Sequence, residues 1–431
     1  MIIQSRASLK AILPHDWLIS RLGLHGKFMS GSAFPDQFQG RCNEEIPFYK
    51  VADLARSSDG VHMPEPMHTI SDETRKRLKA KLIPKGSIVY AKIGAASLLN
   101  RRRVTTRSCC IDNNMTAFVP EQVSPEWALI WLRSLDFGAY MCPATVPSIS
   151  EGIQADLPLG LPPMEYEQRS IALLNERLPK IDKLITLLED KSSALSSYRQ
   201  SLITRAVTKG LDPNVEMKAS GVQWIGNMPS HWRICRVKNL FSVVCGATPS
   251  PNPQYWNGNI NWIGPSDMDE IGDVSSGKRS ITREGYESCG TTLVPQGSLV
   301  LSTRAPVGKV NIAKGELCTN QGCKSLVPLG SKNYTKYYYF VLQAAKDQLI
   351  QDSSGTTFLE LSTSALSDEL LPLPSLDEQK RIVSFLEKID EMVLELKVKL
   401  SDSIRLLNEY RSSLISAAVT GQLAIDEEAS A

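Results

Sequence analysis

One unit is written twice along this chain, and that duplication limits the possible folds more than any other feature. Tyr198-Arg199-Gln-Ser201-Leu202-Ile203-Thr-Arg-Ala206-Val207-Thr208 recurs as Tyr410-Arg411-Ser-Ser413-Leu414-Ile415-Ser-Ala-Ala418-Val419-Thr420, with eight of the eleven positions identical at an offset of 212. Upstream, Leu161-Pro162 followed by Glu167-Gln168-Arg169 matches Leu373-Pro374 followed by Glu378-Gln379-Lys380. The repeat continues more weakly between these blocks. Leu82-Ile-Pro84-Lys-Gly86-Ser87-Ile88-Val89 aligns with Leu293-Val-Pro295-Gln-Gly297-Ser298-Leu299-Val300, and Pro14-His-Asp-Trp17 with Pro229-Ser-His-Trp232. Ile46-Pro-Phe48 ahead of Asp53 corresponds to Ile260-Asn-Trp262 ahead of Asp267. The order is variable block, constant block, variable block, constant block: residues 1–157, 158–212, 213–366 and 367–424, with a tail at 425–431.

Each constant block has helical periodicity. Ile171, Leu174, Leu178, Ile181, Ile185, Leu188, Leu195 and Leu202 follow a 3-4 spacing, interrupted at Ser192 and Arg199. Leu386, Ile389, Val393, Leu396, Leu400, Leu407, Tyr410 and Leu414 do the same, interrupted at Ser403. Sustained heptads imply two long helices that bury a narrow seam against each other or against partners. Pro179 is expected to kink the first or to mark where a short initial helix ends. Gly210 and Gly421 stand where helix C-termini are expected.

The variable blocks read as mixed α/β. Ser87–Lys92 and Ser298–Thr303 are short strands behind a Pro-x-Gly turn. A helix is expected from Ser124-Pro125 to Leu135, and another over Lys336–Leu349, where Tyr337-Tyr-Tyr-Phe340 forms a buried face. The fold class is therefore α+β, two α/β modules joined by two long helices in an internal pseudo-two-fold duplication.

The net charge of +2 is not that of a stand-alone nucleic-acid binder, but its distribution is uneven. Residues 1–156 carry +4 and 213–366 carry +3, so the remaining segments are net acidic. Two mildly basic modules joined by acidic elements suit phosphate contact by the modules and other contacts by the joints. No apolar run reaches the ~18 residues of a membrane helix, and Met1–Trp17 lacks a signal-peptide pattern, so a cytoplasmic protein is expected. The nine cysteines form no CxxC pair and read as free, buried thiols, Cys109-Cys110, Cys318 and Cys323 among them.

Catalytic signatures are scarce. The chain contains no GxGxxG after a strand, no phosphate loop and no HExxH, and its five histidines at 15, 25, 62, 68 and 231 stand apart. Asn252-Pro253-Gln254-Tyr255 resembles the amine-cradling motif of amino-methyltransferases, but Gln replaces its second Pro and no Gly-rich cofactor loop accompanies it. Neither catalytic residues nor a metal or cofactor site is expected on this chain. Basic and amide side chains near strand ends are better represented. The first module offers Lys92, Arg101, Arg102, Arg103, Arg107, Asn113 and Asn114; the second offers Ser302, Thr303, Arg304, Lys309, Asn320, Gln321 and Lys324. Arg can read guanine and Asn or Gln adenine through paired hydrogen bonds, while Lys mostly positions on phosphate.

The two Tyr-Arg-x-Ser-Leu-Ile-x-x-Ala-Val-Thr endings and the two Leu-Pro…Glu-Gln-(Arg/Lys) segments resemble the conserved regions of type I restriction-modification specificity subunits. Gly246-Ala-Thr-Pro249-Ser250…Tyr255-Trp256-Asn-Gly258-Asn-Ile260-Asn-Trp262…Asp267-Met268 looks like the opening of one of that family's target-recognition domains, which also accounts for Asn-Pro-Gln-Tyr. Gly221-Val-Gln-Trp224…Pro229-Ser-His-Trp232 resembles the passage between a conserved region and the second such domain. The first module departs from the pattern, with Gly26-Lys-Phe-Met-Ser30 at its opening.

The resemblance implies a non-catalytic subunit whose two recognition domains each read half of a bipartite site in double-stranded DNA. It implies that the helices pack as an antiparallel coiled coil, set the spacing between half-sites and dock methyltransferase subunits. The expected seam residues are Leu178, Ile181, Ile185, Leu188, Leu195, Leu202, Ile389, Val393, Leu396, Leu400, Leu407, Tyr410 and Leu414. S-adenosylmethionine, ATP and Mg would belong to those methyltransferase subunits and to a translocase-nuclease subunit.

Overall fold

Four helices organise the chain: α1 (Pro125–Ser134), α2 (Met164–Lys209), α3 (Thr335–Ala344) and α4 (Leu376–Val419). The computed structural model describes residues 9–141, 146–304, 306–330, 333–354 and 359–423; Cys142 and the tail at 425–431 lie outside them. The chain divides into two compact units. One contains residues 1–188 and 402–431, the other residues 189–401, so each long helix begins in one unit and ends in the other.

In the first unit, Gly26–Ser30, Met115–Pro120, Ile88–Ala91 and Arg103–Val104 form an antiparallel sheet in that order. Ile46–Tyr49 lies between Thr69–Ile70 and Cys110–Ile111 in a second sheet, and Leu18–Arg21 pairs with Pro158–Leu161. Ser124 caps α1 with Pro125 in its first turn, as its sequence implies. That helix buries Trp127 and Trp131, whose indoles donate to the carbonyls of Gly160 (2.9 Å) and Pro158 (2.6 Å). The same core takes in Leu174 and Ile181 from α2 and Leu414, Ala418 and Val419 from α4. Burial of each large apolar side chain contributes about 1.5–3 kcal/mol.

The second unit repeats the plan. Phe241–Cys245, Cys323–Pro328, Leu299–Ser302 and Val310–Ala313 form the antiparallel sheet, with Asp273–Val274 added in parallel at its edge. Trp256–Ile263 lies between Arg279–Ile281 and Cys318–Thr319, and Arg233–Arg236 pairs with Leu370–Leu373. The matching strands Ile88–Ala91 and Leu299–Ser302 follow matching turns. Gly86 (φ 82°) and Gly297 (φ 84°) are left-handed, and Ser87 and Ser298 donate to the carbonyls of Pro84 (2.7 Å) and Pro295 (2.8 Å). Only glycine takes that backbone without strain. Tyr337–Phe340 on α3 are buried as expected. The expected single helix over Lys336–Leu349 is instead two, α3 and Lys346–Gln351, because the chain turns at Ala345. Ala345 and Leu349 both enter the same core as the α3 aromatics.

The long helices pack antiparallel within each unit. In the first, the Tyr166 hydroxyl donates to the Ala418 carbonyl (3.1 Å), and further along α2 Asp182 pairs with Arg411 (2.9 Å). In the second, the Arg199 Nε and NH2 donate to the two carboxylate oxygens of Asp390 (2.7 and 2.9 Å), and Ile203 and Val207 share a core with Ile382 and Leu386. α2 runs unbroken through Pro179, so no short initial helix ends there. Leu178 and the buried Leu174 and Ile181 hold it to the core on both sides of the proline, and packing outweighs the missing hydrogen bond.

The expected seam needs two corrections. Leu396 and Tyr410 are exposed (41% and 49%), and Arg411 and Asp390 are nearer the buried face. Along α4 the inward residues run through 386, 389 and 390, 393, 397, 400, 404, 407, 411 and 414, so the seam lies one residue later than expected at 396 and 410. A 3-4 pattern leaves that choice open wherever a polar residue stands beside an apolar one. Four of the cysteines, Cys109, Cys110, Cys318 and Cys323, are buried, whereas Cys42 and Cys245 are exposed. Among the described residues no helix is long and apolar enough to cross a membrane.

Two stability measurements follow. Asp390→Ala leaves the Arg199 guanidinium, 7% exposed, facing Gln343 alone, and should cost about 2–3 kcal/mol in urea unfolding of the full chain. Burial, with Asp352 beside it, pushes the Glu369 carboxyl up to about 7. Folding therefore retains a proton that the unfolded chain loses near 4.5, and this contribution, present at low pH, is lost as pH rises through about 7. Glu369→Gln should melt closer to wild type at about pH 5, and higher than wild type at about pH 8.

Candidate nucleic-acid interface

Both units build the same corner where three strands end. In the first, the Lys92 amide donates to the Asn114 carbonyl (2.9 Å) and the Gly31 amide to the Met115 carbonyl (3.2 Å). In the second, the Thr303 amide donates to the Gly322 carbonyl (2.8 Å) and the Gly246 amide to the Cys323 carbonyl (3.4 Å). Backbone bonds thus fix the corner, and the side chains on it differ between the units.

On the first corner stand Lys92, Asn113 and Asn114. The Lys92 ammonium donates to the Ser30 hydroxyl (3.0 Å), while both asparagines are exposed on a turn closed by the Asp112 carboxylate and the Asn114 amide (2.8 Å). The other basic candidates lie elsewhere. Arg107 is exposed beside Glu65 (3.5 Å), and Arg101 is exposed just ahead of the edge strand Arg103–Val104. Arg103 is half-buried there, donating to the Arg102 carbonyl (3.0 Å).

Arg102 is withdrawn from the surface altogether. Its guanidinium lies 3.8 Å from the centre of the Phe137 ring and donates to Asn100 and to the Leu135 carbonyl (3.2 Å). Burial pushes its pKa down to about 9. It closes the end of α1, buried against the chain's own groups.

The second corner gathers more of its candidates. Arg304, Gln321 and Lys324 line a cavity of about 530 Å³ with Cys245, Gly246 and Glu360. Arg304 pairs with Glu360 (3.0 Å), and Gln321 accepts from the Thr248 hydroxyl. The floor consists of buried residues. Ser302 donates to the Pro306 carbonyl (2.7 Å) and Thr303 to Gly322 (3.3 Å). Lys324 donates to the Leu361 carbonyl (2.7 Å), and burial lowers its pKa. Asn320 accepts from the Gly322 amide (2.9 Å), and Lys309 is spent on the Met268 carbonyl (2.9 Å). Arg304 and Gln321 are the exposed members of this set; Ser302, Thr303 and Lys324 are buried beneath the surface. Ser30, Thr248 and Glu360, which the sequence pattern does not single out, contact Lys92, Gln321 and Arg304; Thr248 falls within the Gly246-Ala-Thr-Pro opening. Among the described residues no group of His, Cys, Asp or Glu could hold a metal ion.

Residues 229–406 match the model of the type I restriction modification DNA specificity domain. That block belongs to this family. The specificity domain spans the second module and most of α4. The MjaIX specificity subunit of Methanocaldococcus jannaschii is 36% identical over 173 residues, 39% of this chain and 40% of the relative. The EcoR124I/EcoR124II specificity subunit of Escherichia coli is 26% identical over 289 residues, 62% of this chain and 65% of the relative. The chain spans less than two thirds of the length of these relatives. A solved chain described in terms of type I R-M complex assembly and conformational transition superposes with a TM-score of 0.73 at 18% identity, covering 95% of this chain and 99% of that one. The HsdS subunit of Thermoanaerobacter tengcongensis gives 0.51 at 17%, covering 95% and 98%. These likenesses concern the fold.

Burial separates the candidates by role. Arg102→Ala removes a packed stem and ring contact and should lower stability by about 2 kcal/mol in thermal melting. Arg101→Ala and Gln321→Ala, on exposed positions, should stay within about 0.5 kcal/mol of wild type.

Proposed function

We propose that this chain is the sequence-reading subunit of a type I restriction-modification complex, with each unit reading one half of a bipartite target in double-stranded DNA. The observation that carries the reading is the corner built twice on one backbone plan with different side chains upon it: the half-buried Lys92 and the exposed Asn113 and Asn114 in one unit, the exposed Thr248, Arg304 and Gln321 in the other. Amides and a guanidinium can read base edges, and the lysine can position on phosphate. The specificity-domain match over the second module supports it.

In this reading the chain is not an enzyme. Methyltransferase subunits dock on the paired helices, whose length sets the gap between half-sites, and a translocase-nuclease subunit completes the complex. S-adenosylmethionine, ATP and Mg act on those partners, in the cytoplasm.

The test is a module exchange. Replacing residues 1–157 with the corresponding block of a relative, and expressing the chimaera with its methyltransferase subunit, should alter one half of the methylated motif and preserve the other. Sequencing of methylated adenines reads the result. A chimaera in which both halves change, or neither, would sink the assignment, as would methylation by the purified chain free of partner subunits.

A further inference from the structure

Arg199 and Arg411 occupy the same place in the two repeats, yet their surroundings are not balanced alike. In the second unit Arg199 has both Asp390 oxygens and the amide oxygen of Gln343 (3.2 Å), the next-to-last residue of α3. In the first unit the next-to-last residue of α1 is Arg133, so Arg411 meets a second cation where Arg199 meets an acceptor.

Arg103 and Arg101 join them around a cavity of about 440 Å³, which Asn100, Ser412, Ser416 and Ile415 also line. The acids nearby are Asp182, held by Arg411 (2.9 Å), and Asp59, held by the Val61 and His62 amides (2.8 Å each) and the His62 ring (2.7 Å). The Arg103 Nε is buried with no hydrogen-bond partner. Burial, then Arg103 and Arg411, push Arg133 down to about 10. Four guanidiniums against two committed carboxylates leave the cavity short of negative charge.

We infer that this cavity, bounded by Arg101, Arg103, Arg133 and Arg411, is a binding site for a phosphoryl anion. One nitrogen of Arg133 already donates to the Gly60 and Arg102 carbonyls, and one of Arg103 to the Arg102 carbonyl. The remaining N–H groups of guanidiniums from three separate segments can each donate to a different oxygen of such a group, and the serine hydroxyls and Asn100 add neutral partners. The anion is supplied either by a DNA backbone or by a free phosphate compound. The inference stands whether or not the chain reads DNA as proposed above.

Calorimetric titration of the full chain with pyrophosphate at low ionic strength tests it. Wild type should bind one equivalent. Arg133→Gln, which installs the residue that the second unit tolerates at this position, and Arg103→Gln should each weaken binding roughly tenfold while melting as folded proteins. Arg283→Gln, on the exposed surface of the second unit, should bind as wild type. Competition by a short duplex of random sequence identifies a DNA backbone as the source; bound pyrophosphate that the duplex does not displace identifies a free phosphoryl anion. The inference is overturned if wild type binds no pyrophosphate, if Arg133→Gln and Arg103→Gln bind it unchanged, or if Arg283→Gln weakens it equally. Should one cavity variant fail to fold, the other decides.

Discussion

Because Arg199 is buried between α2 and α4 and clamped by both oxygens of Asp390, the two helices of the second unit cannot slide past one another without stranding a charge. Asp182 and Arg411 make the corresponding, more exposed pair in the first unit. An apolar seam alone tolerates a shift of one heptad, since each leucine finds another hole; a charged pair inside it does not. Each unit's core then builds outward from that register: α1 or α3 lies against the helices, and the antiparallel sheet lies against α1 or α3. The helices are individually long, but isolated helices of this composition are held mostly by what their apolar faces bury.

Much of this was legible from the duplicated text. The strands behind Pro84 and Pro295, the cap at Ser124, the aromatic face of α3 and the glycines closing both long helices follow from local chemistry, which tertiary packing did not override. Apolarity alone places Leu396 and Tyr410 on the seam of α4, because a 3-4 count of apolar residues passes over Arg411. The repeat itself held the correction: Arg199 interrupts the first pattern where Tyr198 is exposed, and Arg411 and Tyr410 stand in the same relation. Burial of Arg102, Ser302, Thr303 and Lys324 was not legible, since a strand-end residue faces in or out according to contacts far along the chain, such as Phe137 for Arg102 and Leu361 for Lys324.

The two corners show how one fold presents different surfaces. Amide-to-carbonyl bonds between strand ends hold each corner and do not depend on residue identity, so exchange of the exposed side chains leaves the frame intact. In the second unit the supporting residues are themselves polar, and Lys324 and Thr303 beneath Arg304 couple its position to the floor. The first unit has no such stack beneath Asn113 and Asn114 among the described residues; its turn is tied instead by Asp112.

The ends of the long helices also interlock with the tryptophans of the repeat. Gly210 closes α2 against Trp232, and Gly421, beyond the end of α4, is so near Pro14 that a side chain there would collide with it. Each tryptophan segment thus receives the helix that precedes it in cyclic order, the second module following α2 and the first module following α4. The two joints are built alike: a left-handed glycine at a helix end packs on a Pro–Trp segment, Gly210 on Pro229 and Trp232 in one unit and Gly421 on Pro14 and Trp17 in the other.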